Sequence, residues 1–584
     1  MPSISYAPFF LLFSSALSFT PCPLLGPAFP PFSLDTNDKT VASALQKLTQ
    51  KFDTLVATNN GTHGDTSPNT TFSIALFSSD AGNAEDEPFF WQYHHTAPIL
   101  NQSSVGSHTA DKDSIYRIGG LTEVFTVWSL LLAGDGDQIF DDPVTKHLPE
   151  LIDNTTREQD MNGRVRWEDV TVGQLASHMS GIGRDYCSTD VTLQTSSAQA
   201  GLPPRQAINI PCCGDDSKCD SRDFIRHLAN QTRVAPAGET PIYSNMAFQL
   251  LGYIVEKRTG KPFSKVLHHI FDVLGMAEIS IFAPNSTTAG IIPVSKEASG
   301  WLAHNEADIA QCTHCRSKSL FSSVKDLATA GQAILNSTLL SKPQTNRWFK
   351  PVSHTSNPAN SVGSPWVIYS AGSYPNTSMV DIYTVLSNEG NDKSLYSSYL
   401  GLVPDFGVGF AILSADSDTP ADLNAHADDI GDVVLTALME TATEQAARNF
   451  GGEYKVSNIN SSIVVEYDSL PGLYIQEFVS NDTDFRATLA GLVGVAKPAD
   501  LSIRLYPTQL VEDSGSGSKQ GFRAVFQDVT ELADAGTATC VSWLDIGRLQ
   551  YGGHGLDEFI FSLDQSGQAV SVEIPALRIS LQKS

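Results

Sequence analysis

The spacing of apolar residues along the chain distinguishes helical regions from extended ones. Apolar residues recur at helical spacing over residues 37–57, which predicts an amphipathic helix. The segments "TFSIALFS" and "FFWQYHHT" then predict strands, and residues 117–350 are mostly helical in pattern, with long irregular loops. Strand patterns return in "VDIYTVLS", "SSYLGLVP" and "VGFAILSA", before a closing helix at about 423–447. This order predicts an α/β fold in which a mixed sheet is flanked by helices and an all-helical subdomain is inserted.

A second domain is predicted after Gly451. The remaining segments alternate between apolar and polar residues and are separated by Gly, Asp and Ser turns. They predict an antiparallel, all-β domain over residues 451–584. Within it, "EDSGSGSKQG" is predicted to be a flexible loop.

The N-terminal residues predict a secreted, extracellular protein. Residues 1–18 contain an apolar run too short to span a bilayer, followed by small residues suited to cleavage, as in a secretory signal peptide. A proline-rich spacer and the first helix occupy residues 19–71. N-x-S/T sequons predict a glycoprotein from a eukaryotic secretory pathway. They lie at Asn60, Asn69, Asn101, Asn154, Asn230, Asn285, Asn336, Asn376, Asn460 and Asn481.

Composition and charge narrow the range of partners. The chain has 584 residues and a net charge of -27, with 41% hydrophobic and 17% charged residues, which is an ordinary composition for a folded protein. Because so acidic a surface repels phosphate backbones and anionic lipids, we expect no nucleic-acid partner and no membrane partner for the mature form. The oligomeric state is not set by the sequence.

Cysteine usage agrees with export. The 8 cysteines predict up to four disulfides, without fixing how they pair. The stretch "CTHC" at Cys312–Cys315 lacks a second pair at zinc spacing, so we expect a disulfide or free thiols there and no metal. No cofactor is expected.

The segment "YRIGGLTEVFTVWSLLLAGDG", residues 116–136, begins as a glycine turn and continues as an amphipathic helix. A serine hydrolase that lacks histidine can place its nucleophile at such a turn, in an S-x-x-K motif. Residues three apart share one face of the first helical turn, so the lysine reaches the serine hydroxyl as its base. A tyrosine from a Y-x-N motif relays the proton, and a K-x-G or H-x-G strand helps to form the oxyanion hole.

Several segments carry a resemblance to the serine β-lactamase-related family, on its class C, penicillin-binding and esterase/transesterase branch, and more narrowly to secreted fungal β-lactamase-like proteins. They are residues 116–136, "DDPVTKHLPEL", "VTVGQLASHMSGI", "PIYSNMAFQLLGYIVEKRTGKPF", "LFSSVKDLATAGQAIL" and "SSYLGLVPDFGVGFAILSA". The resemblance implies a β-lactamase/transpeptidase-like α-β-α sandwich over residues 72–447, with an inserted helical subdomain and an active-site cleft. It also implies that residues 451–584 are the C-terminal β domain of the fungal proteins.

The family motifs are only partly retained. Tyr243-Ser244-Asn245 matches Y-x-N. By the same resemblance, Gly120 stands at the position of the nucleophile and Glu123 at that of the lysine base, in "GGLTEVFT". The K-x-G position falls on Asn388-Glu389-Gly390, where only the glycine survives.

The residues that remain predict two features of the cleft. Tyr243, Glu123 and Asn245 are the candidate catalytic side chains, because a carboxylate beside a phenol can act as an acid/base pair. The backbone amides of Gly120 and of Asn391 are the candidate oxyanion hole, which does not depend on side chains.

Three hypotheses for function remain open. In the first, the chain is a non-hydrolysing pseudoenzyme or binding protein that offers the cleft to a small-molecule, acyl or peptide-like ligand. In the second, Glu123 and Tyr243 catalyse acid/base hydrolysis, cyclisation or isomerisation of a specialised metabolite, with no acyl intermediate. The third is serine hydrolysis or acyl transfer from a relocated nucleophile. Ser322 of "SSVK" has the right spacing but is expected to lie at a capped helix start.

Overall fold

The computed structural model describes most of the chain. The described residues are 19–79, 87–134, 136–152, 163–185, 201, 221–229, 231–284, 288–301, 320–372, 380–388, 394–514, 517–531 and 540–584. The chain divides into two compact units, of which one comprises Ser33–Ala371 and Asp381–Leu438. The other comprises Met1–Phe32, Gly372–Val380 and Met439–Ser584.

An eight-stranded antiparallel sheet is the centre of the larger unit, in the order β2-β1-β10-β9-β8-β7-β6-β5. A separate two-stranded pair is formed by β3 and β4. The strands are Thr71–Ser78 (β1), Trp91–His95 (β2), Tyr116–Arg117 (β3), Phe321–Ser322 (β4), Ser353–His354 (β5), Asn360–Val362 (β6), Val367–Ala371 (β7), Val380–Asn388 (β8), Tyr396–Val403 (β9) and Val408–Ala415 (β10).

Helices cover this sheet and supply the inserted subdomain. They are Lys39–Thr58 (α1), Thr122–Leu132 (α2), Val144–His147 (α3), Val172–Ala176 (α4), Ser221–Leu228 (α5), Asn245–Thr259 (α6), Phe263–Leu274 (α7), Lys296–Ser299 (α8), Val324–Leu335 (α9), Lys342–Trp348 (α10), Asn424–Ile430 (α11) and Thr436–Phe450 (α12). A π-helical turn at Gly431–Leu435 joins α11 to α12, and the division between the two units falls within α12.

Strand β1 shows why helices lie on both faces of the sheet. Its side chains are buried along its whole length, and alternate residues of a strand point to opposite faces. Phe72 contacts the ring of Phe52 in α1. Phe77, on the opposite face, meets α9, where a Cβ at Gly331 would come within 2.2 Å of the Phe77 ring. A glycine at position 331 therefore lets the helix approach the sheet closely, and the layers form the predicted α-β-α sandwich.

A closed β-barrel is the centre of the other unit. Its strands and one helix are Gly452–Val456 (β11), Ser461–Glu466 (β12), Leu473–Ser480 (β13), Thr483–Asp484 (β14), Phe485–Val493 (α13), Leu501–Ser514 (β15), Gly517–Asp528 (β16), Gln550–Tyr551 (β17), His554–Gly555 (β18), Glu558–Leu563 (β19), Ala569–Ile574 (β20) and Ile579–Lys583 (β21). Neighbours pair antiparallel around the ring β11-β12-β13-β15-β16-β19-β20-β21, and β21 pairs back onto β11. A closed barrel has no free sheet edges along these strands. The predicted C-terminal antiparallel domain is confirmed.

The barrel interior is packed with side chains. Phe450, Phe522 and Phe561 contact one another with ring centroids 5.1–5.3 Å apart. Tyr454 adds an edge contact to Phe561. This apolar cluster occupies the space that an eight-stranded barrel of this kind encloses.

The prediction of a flexible loop at "EDSGSGSKQG" is wrong. Strands β15 and β16 continue through it and pair Glu512 with Lys519 and Ser514 with Gly517. The opposite charges of Glu512 and Lys519 face each other and favour this pairing. Residues 515–516 lie outside the described part of the chain.

One disulfide joins the two ends of the chain, between Cys22 and Cys540. The proline-rich segment around Cys22 lies against the barrel unit, where the Cys22 amide donates to the side chain of Gln527 at 2.9 Å. Phe29 contacts the ring of Tyr467 at 5.8 Å. The remaining cysteines, including those of "CTHC", lie outside the described residues.

Only some of the residues that predict export lie in the described part of the chain. Residues 1–18 and the sequon residues Asn154, Asn230, Asn285 and Asn376 lie outside the described residues. Asn60, Asn101, Asn336, Asn460 and Asn481 are exposed, and Asn69 is half-buried. Within the described part of the chain, no helix is long and apolar enough to span a bilayer.

We predict that Arg486 stabilises the short seam between strands β13 and β15 of the barrel. Strands β13 and β15 pair at Leu473 with Leu505 and at Tyr474 with Arg504. Beyond this point the guanidinium of Arg486 donates to the carbonyls of Ile475 and Leu501, one from each strand. Removal of two charged hydrogen bonds by Arg486→Leu should lower the free energy of unfolding by about 2–4 kcal/mol, measured by urea denaturation. The matched control is Arg548→Leu, at an exposed ion pair with Asp545, and an equal loss in both variants would contradict the prediction.

We also predict acid destabilisation through His426. This side chain is 1% exposed and packs against the rings of Phe52 and Phe72. Burial lowers its pKa from 6.5 to about 4. Between these values the unfolded chain takes up a proton that the folded chain refuses, so stability falls as the pH is lowered.

The expected loss is about 3 kcal/mol between pH 6.5 and 4. His426→Phe should remove this part of the pH dependence, measured as the difference between urea denaturation curves of the variant and the wild type. The control is His354→Phe, at an exposed position on β5. If the two variants change the pH profile equally, the assignment to His426 is wrong.

Candidate active-site cleft

The glycine turn before α2 is fixed by hydrogen bonds on both sides. Gly119 has φ +46°, a left-handed conformation that suits glycine, and it opens a 3-10 turn over Gly119–Leu121. The Thr122 hydroxyl donates to the Gly119 carbonyl at 2.6 Å and accepts from the Leu320 amide at 3.2 Å. The turn is thereby tied to the segment that leads into β4. Gly120 lies buried within it and has no side chain.

Glu123 lies in the first turn of α2, where the side chains of the following residues are packed into the core. Only 1% of its surface is exposed. The hydroxyl of Tyr243 donates to Glu123 Oε1 at 2.6 Å, the length expected when a hydroxyl meets a carboxylate. The two sequence-predicted residues therefore meet, and the acidic side chain occupies the place where a base beside a nucleophile was expected.

Asn245 is the third member of this group. Its Oδ1 lies 3.0 Å from the Tyr243 hydroxyl, and its Nδ2 donates to Asp185 Oδ1 at 2.6 Å. Because a carboxylate oxygen can only accept here, Asp185 fixes which end of the amide faces it, and the carbonyl end must face Tyr243. The result is a continuous chain of side-chain contacts from Glu123 through Tyr243 and Asn245 to Asp185.

The start of α6 holds this chain in place. Ser244 is the N-cap of the helix, and its hydroxyl oxygen accepts from the Ala247 amide. The same hydroxyl donates to the Gly183 carbonyl at 2.7 Å. The backbone N–H of Asn245 donates to the backbone carbonyl of Arg184 at 2.9 Å. Residues 183–185 are therefore fastened to the helix start, which positions the side chains that face Tyr243.

The ring of Tyr243 is contacted by His178 and Arg184. The His178 ring stacks on it at 5.4 Å, and the Arg184 guanidinium carbon lies 4.9 Å from the ring centroid. His178 has φ +62° and its Nε2 contacts the Pro365 carbonyl at 2.9 Å. Burial lowers the pKa of His178 below its ordinary value, so the imidazole is neutral at pH 7. Nε2 therefore donates to Pro365, and His178 supports the ring without adding charge.

The predicted oxyanion hole is only partly described. Gly120 is placed as above, whereas Gly390 and Asn391 lie outside the described residues. Asn388 is the last residue of β8 and pairs with Ser397 of β9. The convergence of the amides at Gly120 and Asn391 stays a prediction.

Ser322, the candidate for a relocated nucleophile, and Ser73, which contacts a histidine, are both buried. Ser322 is 0% exposed and donates to the Ser323 carbonyl at 3.3 Å, while Ser323 caps α9. The Lys325 ammonium lies 3.7 Å from Asp113. Ser73 contacts His94 Nδ1 at 2.9 Å, but it is also fully buried and lies within strand β1. Neither serine offers its hydroxyl to a ligand.

Metal ligation has no support in the described part of the chain. There, no group of three or more His, Cys, Asp and Glu side chains comes together as a metal site would require. The contacts of Arg184 and Asp185 with the cleft were missed by sequence reasoning. Their only sequence signal is their position directly after the "SHMSGI" segment, which carries no chemistry by itself.

Comparisons with known proteins agree with this architecture. Residues 93–435 match the family model described as Beta-lactamase, and residues 442–584 match that of a Beta-lactamase-like C-terminal domain. A beta-lactamase-like protein of Arthroderma benhamiae is 27% identical over 581 residues, covering 93% of this chain and 92% of its own length. "Probable hydrolase clz13" of Cochliobolus lunatus is 24% identical, covering 85% and 83%. The structure of a class C beta-lactamase is 14% identical, with a TM-score of 0.45, covering 70% of this chain and 99% of its own.

We predict that the Tyr243 hydroxyl stabilises the fold as well as shaping the cleft. Tyr243→Phe removes the one hydroxyl that both Glu123 and Asn245 contact. The free energy of unfolding should fall by about 1–3 kcal/mol, because buried polar groups lose a hydrogen-bond partner. Urea denaturation measures the change. Tyr369→Phe, at a half-exposed tyrosine of β7, is the matched control, and an equal effect there would contradict the prediction.

Proposed function

The chain belongs to the β-lactamase family, and we propose that within it this protein is a non-hydrolysing member that binds a small ligand without forming an acyl-enzyme. The observation that carries the proposal is the position of Glu123, which follows Gly120 by three residues, is buried and accepts a hydrogen bond from Tyr243 at 2.6 Å. Covalent catalysis needs a nucleophilic atom and a base beside it. Gly120 supplies no such atom, and the carboxyl of Glu123 is already engaged by the phenol.

The retained parts of the cleft support ligand binding. The Y-x-N residues stay ordered at the start of α6 through the contacts of Ser244 and Asn245. Tyr243 is half-buried, so its ring and hydroxyl remain the surface that a ligand meets. We propose a small molecule or an acyl or peptide-like compound as the ligand. The fold alone does not select among these classes, because one fold can serve many functions.

A second candidate function is acid/base catalysis without a covalent intermediate, and the hydrogen-bond arrangement around Tyr243 favours it. When Glu123 is ionised, Tyr243 donates to it. When Glu123 holds a proton, it can donate to the Tyr243 oxygen, and the phenol then donates to Asn245 Oδ1 at 3.0 Å. Both arrangements use the same heavy-atom positions. The group can therefore gain or lose one proton without leaving a donor unpaired.

This arrangement defines the roles in such a reaction. A ligand proton moves to the Tyr243 oxygen while the phenol proton moves to Glu123 Oε1, so charge and protons balance. The reaction would be hydrolysis by water, cyclisation or isomerisation. The name "Probable hydrolase" of the Cochliobolus lunatus relative agrees with a hydrolytic outcome. No observation favours the relocated-nucleophile hypothesis, because Ser322 is fully buried.

We propose that the protein is secreted and glycosylated. The Cys22–Cys540 disulfide supports this location, since disulfides persist in oxidising compartments. The exposed sequon residues support glycosylation.

The absence of acylation is tested by incubating the purified protein with a fluorophosphonate and measuring intact mass, with a class C β-lactamase as the positive control for the probe. We expect no stoichiometric adduct on the wild type. A stoichiometric adduct that disappears in Ser322→Ala would overturn the proposal in favour of a relocated nucleophile. An adduct that survives this change would overturn it equally and would be mapped by peptide mass spectrometry.

Acid/base catalysis is tested by screening small esters, lactones and amides for conversion by the wild type, Glu123→Gln and Tyr243→Phe. Conversion should be lost, by about 100-fold or more, in both variants if the pair transfers the proton. Equal turnover in the wild type and both variants would contradict the roles given to these residues. Binding without conversion supports the first candidate function.

A further inference from the structure

We propose that Arg184 is the group that recognises an anionic part of the ligand, specifically a carboxylate, beside Tyr243. The inference rests on the proposed ligand-binding function of the cleft and adds a ligand class to it. The K-x-G position of this chain carries Asn388 and therefore no cation. Arg184 comes from a different segment and reaches the ring of the Y-x-N tyrosine.

The position of Arg184 is built into the site. Its carbonyl accepts from the Asn245 amide at 2.9 Å, and the flanking Gly183 and Asp185 are each bound by the residues that start α6. The backbone is therefore held at Gly183 and at Arg184 itself, and the side chain of Asp185 adds a third contact. The guanidinium carbon then lies 4.9 Å from the centroid of the Tyr243 ring, a cation–π contact that orients the side chain without consuming its hydrogen-bond donors.

Exposure distinguishes the two members of the Arg184–Asp185 ion pair. The Arg184 side chain is 53% exposed, whereas that of Asp185 is 7% exposed. In this ion pair, Arg184 Nε lies 3.4 Å from Asp185 Oδ2. The other carboxylate oxygen of Asp185 accepts a shorter hydrogen bond, of 2.6 Å, from Asn245 Nδ2. Among the described residues, neither terminal nitrogen of Arg184 makes a hydrogen bond. The outer end of the guanidinium is thus presented to solvent next to the candidate catalytic group.

The chemistry of this end favours a carboxylate. Two terminal N–H groups in one plane match the two oxygens of a carboxylate, and such paired contacts are among the stronger hydrogen bonds of proteins. A doubly charged anion is less suited, because Asp185 lies beside the cation and the whole chain carries a net charge of -27. The bound carboxylate would place the adjoining carbon skeleton of the ligand over Tyr243.

The test uses benzoate and its neutral analogue benzamide as probes, with ligand-observed NMR on the full chain. The variants are Arg184→Gln, which removes the charge, and Arg184→Lys, which keeps the charge but loses the planar fork. The matched control is Arg166→Gln, because Arg166 is also exposed and also pairs through Nε with a nearby aspartate, Asp169. Thermal unfolding of each variant confirms that it is folded.

We expect benzoate to bind the wild type and to bind Arg184→Gln at least about tenfold more weakly, as expected for loss of a charged hydrogen bond. Arg184→Lys should lie between the two, and Arg166→Gln should match the wild type. Benzamide should bind all four proteins equally weakly, and inorganic phosphate should displace benzoate less well than acetate does.

Three results would overturn the proposal. They are equal binding of benzoate to the wild type and Arg184→Gln, equal binding of benzoate and benzamide to the wild type, and no benzoate binding at concentrations up to about 10 mM. A second readout is the modification of Arg184 by phenylglyoxal, followed by peptide mass spectrometry. Benzoate should slow it and benzamide should not. These readouts do not involve acylation, so an adduct in the fluorophosphonate experiment would overturn the proposed function while leaving the assignment of Arg184 to be judged by its own data.

Discussion

The hydrogen bond between Tyr243 and Glu123 is the constraint around which the candidate site is arranged. Glu123 is 1% exposed, and burial of a carboxyl group is costly in free energy unless a polar group hydrogen-bonds to it. Helix α2 cannot turn this side chain outward, because the residues that follow it in the helix are packed into the core. Tyr243 supplies a partner at 2.6 Å. The position at which the family resemblance leads us to expect a lysine base is thus occupied by an acid paired with a phenol.

The phenol is held in turn by groups from two other parts of the chain. Asn245 and Asp185 fix the hydrogen-bonding side of Tyr243, and the neutral His178 ring supports its face. The fold brings these segments together by packing α2 against α6 within one core. A glycine turn, a helix cap and a loop of three residues therefore act as one unit, and a change in any of them alters the surroundings of Tyr243.

The sequence allowed some of these elements to be predicted because they depend on local pattern. Strand β1 covers the predicted "TFSIALFS" segment, Thr71–Ser78, and the meeting of Tyr243 with Glu123 follows from the ordered motifs. The closure of the barrel could not be predicted, because it depends on pairing between β11 and β21, which are more than 120 residues apart. The extension of β15 and β16 through a Ser/Gly-rich stretch was missed because cross-strand pairs, not local propensity, stabilise it. The position of Arg184 could not be predicted either, because backbone contacts with the start of α6 determine it.

The most direct test is a double-mutant cycle of Glu123→Ala and Tyr243→Phe, with the free energy of unfolding measured by urea denaturation. Because the two side chains share one buried hydrogen bond at 2.6 Å, the losses in the two single variants should not add. The coupling free energy between the two positions should be about 1–3 kcal/mol. Losses that add in the double variant would show that the two side chains do not stabilise each other and would contradict the central role of this hydrogen bond.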